Sequence, residues 1–147
     1  MNFWQDKSVL ITGGTGSLGS ALVKELTNRT VRKIIIYSRD ELKQFEMRQR
    51  INDDRLRFFL GDVRDKDRLN KSFENDNVVI HTAALKKVSS GEYNPFEFVK
   101  TNIAGSQNVV EAAIKNNVEF VLGISSDKAS GGAINLYGAT KLIMERL

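Results

Sequence analysis

With 147 residues, 41% of them hydrophobic, the chain has enough apolar side chain for one folded domain and too much for a disordered segment. It has no cysteine and a single histidine, His81, which excludes disulfides, thiol nucleophiles and cysteine zinc sites; any chemistry falls to Tyr, Lys, Asp, Glu, Ser or a bound cofactor. A net charge of +4, with 22 basic residues scattered among 18 acidic ones, describes a mixed solvated surface and no nucleic-acid-binding stripe.

In chain order, short apolar runs alternate with longer amphipathic segments, the pattern of βαβ units in a parallel sheet. Strands are expected at Ser8 to Thr12, Lys33 to Tyr37, Leu56 to Leu60, Asn77 to His81 and Glu119 to Ile124. Each is apolar without alternation, so each is expected to be covered on both faces. Helices are expected from Leu18 to Asn28, Glu41 to Ile51, Lys66 to Phe73, Pro95 to Asn116, and Leu136 to the end, with Pro95 in a helix-opening position. No run approaches the roughly 18 apolar residues that span a bilayer, and MNFWQDKSVLITGG carries charge where a signal peptide is apolar. The expectation is a soluble cytoplasmic protein of the doubly wound α/β class, with no membrane partner.

The first strand runs into TGGTGSLGSALVKEL, where Gly13, Gly16 and Gly19 form GxxGxxG at the mouth of a helix. A pyrophosphate must come close to backbone N–H groups at such a helix start, and a side chain at the glycine positions would block it. Thr15, Ser17 and Leu18 complete the candidate cradle, and Gly19 is expected to let the helix pack closely on the strand.

The second strand ends in YSRDE, where the adenosine ribose of a dinucleotide is read. A lone acid there would accept from the 2′-hydroxyl of NAD, whereas Ser38 and Arg39, with Lys43 beyond, would hold the 2′-phosphate of NADP, and the reading favours NADP. Asp40 has two open roles, ribose acceptor or opener of the next helix. After the third strand, Asp62 would accept from the adenine amino group with Val63 along the ring, or else cap the following helix. After the fourth, Ala83 and Ala84 either admit a cofactor against the backbone or simply pack tightly, with Lys86 beyond; His81 reads as a satisfied strand-end residue.

The richest stretch is SSDKASGGAINLYGATK, Ser125 to Lys141. Tyr137 and Lys141 are one helical turn apart on one face. A nearby ammonium stabilises a phenolate, so Tyr137 can serve as base for a substrate hydroxyl while hydride leaves to nicotinamide. Elimination beside a carbonyl needs a base and an acid at neighbouring positions, and Asp127 with Lys128 supplies both.

Together, ITGGTGSLG, YSRDELKQ, RFFLGDVRD, AALKKV, EYNPFEFVKTNIAGSQNVVEAA, SSDKA and INLYGATK resemble the extended short-chain dehydrogenase/reductases, and within them the C5-inverting UDP-N-acetylglucosamine 4,6-dehydratases that open pseudaminic acid synthesis. The resemblance implies a Rossmann-type doubly wound parallel sheet, residues 1–147 forming one NADP-binding domain without the last strands and substrate subdomain of the extended members. It implies that Tyr137 takes the C4 hydroxyl proton as hydride passes to NADP, and that Lys141 orients the nicotinamide ribose. Lys128 then removes the C5 proton, Asp127 protonates the departing C6 hydroxyl, and Ser126, or Ser125, bonds the reacting 4-oxygen. The implied substrate is a UDP-N-acetylhexosamine and the implied full-length state a homo-oligomer. The chain departs from the pattern at SGGA, which stands where the family carries Asn-Pro, and at its end, inside the helix that bears Lys141. Poor turnover by these residues alone is therefore expected. Another nucleotide-sugar epimerase or reductase, or a non-catalytic NADP-binding module, remains open.

Overall fold

The computed structural model describes residues 2–132 and 134–147; Met1 and Ala133, the last residue of the SGGA stretch, lie outside the described residues. Five parallel strands, β1 (Ser8–Thr12), β2 (Lys33–Ser38), β3 (Leu56–Leu60), β4 (Val78–His81) and β5 (Phe120–Gly123), lie in the order β3-β2-β1-β4-β5. β1 is central and wholly buried, with Thr12 beside Tyr37 of β2 and His81 of β4. Strand order reverses at β1, so the connections leaving β1 and β4 part to opposite faces and open a crevice at the C-terminal strand ends.

Successive strand residues point to opposite faces, which builds two cores. Val9, Ile11, Ile34 and Ile36 pack with Val23 and Leu26 of α1 (Ser17–Thr27) and Met47 of α2 (Glu41–Arg50). On the other face Leu10, Ile35, Tyr37 and Val79 meet Leu69 of α3 (Lys66–Ser72) and, further along, Val109 and Ala112. Aspartates start two of these helices: Asp40 accepts from the Lys43 amide at 3.0 Å, and Asp65 from the Arg68 amide at 2.9 Å.

Four expectations need correction. The strands are not all covered on both faces: β5 is exposed throughout and β3 is fully buried only at Leu56, because each is an edge strand. An unbroken apolar run cannot distinguish an edge from a centre. VSSGEY, which has no apolar period, forms a short helix α4 (Val88–Tyr93) that the pattern did not show. The expected long helix is three pieces: α5 (Pro95–Phe98), with the proline in its first turn; a π-helical turn, Val99–Ala104; and α6 (Gly105–Lys115). A 3-10 turn (Asp127–Ala129) then precedes α7 (Leu136–Met144), which stops short of the expected end. Among the described residues no helix is long and apolar enough to cross a membrane.

Candidate functional site

A cleft of about 800 Å³ fills the crevice above β1, β2 and β4. Its floor is the start of α1. Gly13 has φ +66°, and a Cβ there would meet the Ala83 amide nitrogen at 2.8 Å. A Cβ on Gly19 would sit 2.3 Å from the Gly13 carbonyl oxygen, so this glycine lets α1 pack on the Gly13–Gly14 turn and not, as expected, on the strand. Unlike α2 and α3, α1 begins without a side-chain cap and without an acid in its first turn. Its first amides, at Ser17, Leu18 and Gly19, therefore face the cleft with no side chain of their own helix to satisfy them, which suits an anion.

One wall carries Ser38, Arg39, Asp40 and Lys43 at the end of β2 and the start of α2. Of its two open roles Asp40 takes the helix-opening one, and its other oxygen lies 3.7 Å from the Lys43 ammonium. Asp62 does not cap α3, which Asp65 does; it accepts from the Arg64 amide at 2.9 Å and holds the Arg39 guanidinium at 3.5 Å. Buried Tyr37, whose hydroxyl donates to the Asp62 carbonyl at 2.9 Å, fixes that loop; burial, with the charges of Asp65 and Asp62, pushes its pKa up. Val63, Ala83, Ala84 and Lys86 complete the middle of the cleft.

The far end is built by α7. Asn135 caps it, accepting from the Gly138 amide at 2.8 Å, and a Cβ on Gly138 would stand 2.1 Å from the Lys128 carbonyl oxygen. That contact presses the Asp127–Ala129 turn onto the helix bearing Tyr137 and Lys141. Lys141 is buried, only 3% exposed, and donates to the Ile124 carbonyl at 2.7 Å; burial first, then the charge of Lys86, pushes its pKa down. Tyr137 is half-buried on the cleft wall.

All the candidate cofactor residues, from Gly13 through Lys141, border this one cleft, and of the candidate catalytic set Tyr137 and Lys141 do. Ser126, Asp127 and Lys128 lie off its wall, one turn behind α7, while Ser125 is on it and hydrogen-bonds Glu145. The Asp127 carboxylate is 88% exposed; the Ser126 hydroxyl at 3.1 Å, then the Lys128 ammonium at 3.7 Å, hold its pKa below the usual range.

Several buried polar residues went unnoticed in the sequence. Asn102, in the π turn, accepts from the Leu85 amide and donates to its carbonyl, each at 2.8 Å, and donates to Thr140 of α7 at 3.0 Å. It thereby ties the cleft wall to the Tyr137 helix. Neighbouring Thr101 lines the cleft with a buried hydroxyl that has no partner among the described residues. His81 is satisfied, as read: Ser106 donates to the Asn102 carbonyl at 2.6 Å, so His81 Nε2–H donates to Ser106 at 2.9 Å and Nδ1 accepts from Thr12 at 2.7 Å. Burial, then the Lys141 charge, lowers its pKa to about 4. The available signal was Thr-Asn inside an otherwise amphipathic helix, polar residues on its buried side.

Fold and cleft together define a Rossmann-type α/β domain with its site at the strand-order switch. The chain belongs to the polysaccharide biosynthesis protein family, whose model matches residues 9–147. It is 53% identical over 142 residues to the inverting UDP-N-acetylglucosamine 4,6-dehydratase of Campylobacter jejuni strain 81-176, covering 96% of this chain and 42% of that protein. It is 42% identical to a UDP-glucose 4-epimerase of Rickettsia rickettsii, covering 97% of this chain and 42% of that one. The solved UDP-glucose 4-epimerase of Bifidobacterium longum, in complex with NAD+ and UDP, superposes with a TM-score of 0.86 at 26% identity, covering 95% of this chain and 47% of that one. The chain thus spans less than half the length of these relatives.

Proposed function

We propose that this chain is the cofactor-binding and hydride-handling part of a cytoplasmic, NADP-dependent 4,6-dehydratase acting on UDP-N-acetylglucosamine. The observation that carries the reading is that one cleft joins the uncapped α1 amides to Tyr137 and Lys141, with Lys128 pressed against the same helix at Gly138. A dinucleotide fits these residues: the amides lack an acidic cap, and Thr101 keeps a buried hydroxyl without a partner on the cleft wall. NADP is favoured over NAD because the wall at the end of β2 offers Ser38, Arg39 and Lys43, while Asp40, the carboxylate that could receive a ribose hydroxyl, is committed to capping α2.

When bound, the cofactor supplies reversible hydride acceptance from the sugar C4. Tyr137 takes the C4 hydroxyl proton, and the Lys141 ammonium stabilises the phenolate and fixes the ribose. The resulting 4-keto group acidifies C5–H, which Lys128 removes. Asp127, whose exposed carboxyl the Ser126 hydroxyl and then Lys128 hold below the usual range, takes up a proton from solvent and donates it to the leaving C6 oxygen. A hydride supplied back to C6 and a proton delivered to C5 from the opposite face would give the inverted 4-keto-6-deoxy product.

The position of Asp127 and Lys128 off the cleft wall favours a second reading, a 4-epimerase, which needs Tyr137 and Lys141 alone. The two separate in a chimera that places residues 1–147 in the matching segment of the Campylobacter dehydratase. Mass spectrometry of UDP-N-acetylglucosamine incubated with it is expected to show loss of one water, and Lys128→Ala to abolish that loss with NADP still bound. A C4 epimer without water loss, unaffected by Lys128→Ala, establishes the epimerase instead.

A further inference from the structure

We infer that Gln44, a buried residue of α2 outside the cleft wall, sets cofactor choice by fixing the Ser38 hydroxyl as a hydrogen-bond donor. This rests on the NADP reading above. Gln44 is only 6% exposed, and its amide nitrogen stands 3.2 Å from the Ser38 carbonyl, 2.9 Å from the Phe59 carbonyl and 3.0 Å from Ser38 Oγ. Two of these partners are carbonyl oxygens, pure acceptors, so the amide orientation is settled: nitrogen, not oxygen, faces Ser38. An amide N–H has no lone pair to offer. The two amide hydrogens are shared among these three oxygens, so Ser38 Oγ accepts a shared hydrogen from Gln44, and its own hydrogen is left to point elsewhere.

No acceptor for that hydrogen is recorded among the described residues, and Ser38, itself 7% exposed, borders the cleft beside Arg39 and Lys43. Ser38, Arg39 and Lys43 thus present hydrogens, while two carboxylates of the same wall, Asp62 and Asp40, are paired with Arg39 and Lys43, and Glu41 stands beside them. A phosphate dianion, which accepts and never donates, is matched by those hydrogens; a ribose hydroxyl also needs an acceptor, and Asp40 is engaged at the start of α2. Gln44 also ties the end of β2 to β3 through Phe59, which keeps Ser38 in place as the ligand arrives.

The test is the ratio of NAD+ to NADP+ dissociation constants, measured by isothermal titration on the 147-residue chain with Gln44→Met, Ser38→Ala and the double variant. A hydrogen bond to a charged group is worth enough to change affinity about tenfold. Gln44→Met is expected to reduce NADP+ affinity by about that factor and leave NAD+ affinity unchanged; Ser38→Ala should do the same, and the double variant should add nothing. A merely structural tie between β2 and β3 predicts equal losses for both cofactors, and that result, or additive losses in the double variant, overturns the inference. Should circular dichroism show Gln44→Met unfolded, Ser38→Ala alone decides, an unchanged ratio overturning it. A wild-type chain that prefers NAD+, or binds neither, instead sinks the NADP reading on which the inference stands.

Discussion

Two buried titratable residues pull the stability of this domain in opposite directions. Asp76, just before β4, is 3% exposed, and neither carboxyl oxygen has a hydrogen-bond partner among the described residues; Lys33 Nζ lies 3.4 Å from Oδ1, within ion-pair reach but out of line to donate. Desolvation outweighs the attraction of Lys33 and Arg32 and raises the Asp76 pKa from 3.8 to about 6. The protonated carboxyl therefore favours the fold: that contribution is complete below pH 3.8 and is lost as pH rises through 6. His81 has the reverse sign, because its folded pKa falls from 6.5 to about 4; its stabilisation is present above pH 6.5 and lost as pH falls through 4. The two windows overlap, so the wild-type chain should show a shallow stability profile between them. Asp76→Asn removes one arm: urea midpoints should then fall steadily on acidification across that range, with a gain of up to about 3 kcal/mol at neutral pH. His81→Gln should tilt the profile the other way. A flat profile in Asp76→Asn would show that the histidine is not held neutral by burial.

Between elements, the decisive contact is α7 against the Asp127–Ala129 turn. Alanine normally improves on glycine inside a helix by about 1 kcal/mol. At Gly138 the sign should invert, since the added carbon would stand 2.1 Å from the Lys128 carbonyl oxygen, a backbone atom that cannot rotate away. Gly138→Ala is expected to destabilise the chain by about 1–3 kcal/mol in urea unfolding and to shift the Lys128 amide resonance. Stabilisation, with Lys128 unmoved, would refute the packing. This contact also shows how far the sequence could be read. The strands, the glycine turn and the Tyr137–Lys141 spacing were legible because each is local: apolar runs, a helix mouth, one helical turn. Asn102 and Gln44 were not, because their partners lie 17 and 15 positions away in other elements, at Leu85 and Phe59. Gly138 was hidden for the same reason, since nothing in YGATK reveals what backbone will press against it. The π turn at Val99–Ala104 also leaves no periodic mark, since Pro95 to Asn116 reads as one amphipathic helix until Asn102 is seen clamped between Leu85 and Thr140.

At the scale of the whole molecule the sheet has two edges, guarded differently. Along β3, Arg48 stacks on Phe58 at 4.9 Å and Arg68 on Phe59 at 5.3 Å, and exposed Arg57 adds a third charge. Charges on an edge discourage strand pairing with another chain. β5 has no such protection: FVLG carries no charge, and Phe120, Val121 and Leu122 are 48%, 38% and 44% exposed. Both of its faces are partly exposed, its outer row of backbone N–H and C=O groups has no partner strand among the described residues, and the Phe3 ring packs on Phe120 at a centroid distance of 6.1 Å. The 147-residue chain should therefore self-associate through β5 and not through β3. Sedimentation velocity across a concentration series is expected to show a dimer or larger species that Val121→Lys disperses, while Arg57→Ala leaves the β5-mediated dimer unchanged. The measurement also bears on catalysis, because Ile124, whose carbonyl holds Lys141, directly follows that strand. Pairing at β5 should steady the Lys141 anchor, so Val121→Lys is also expected to speed amide exchange at Ile124 and Ser125; association without that protection would mean the β5 edge and the Lys141 anchor move independently.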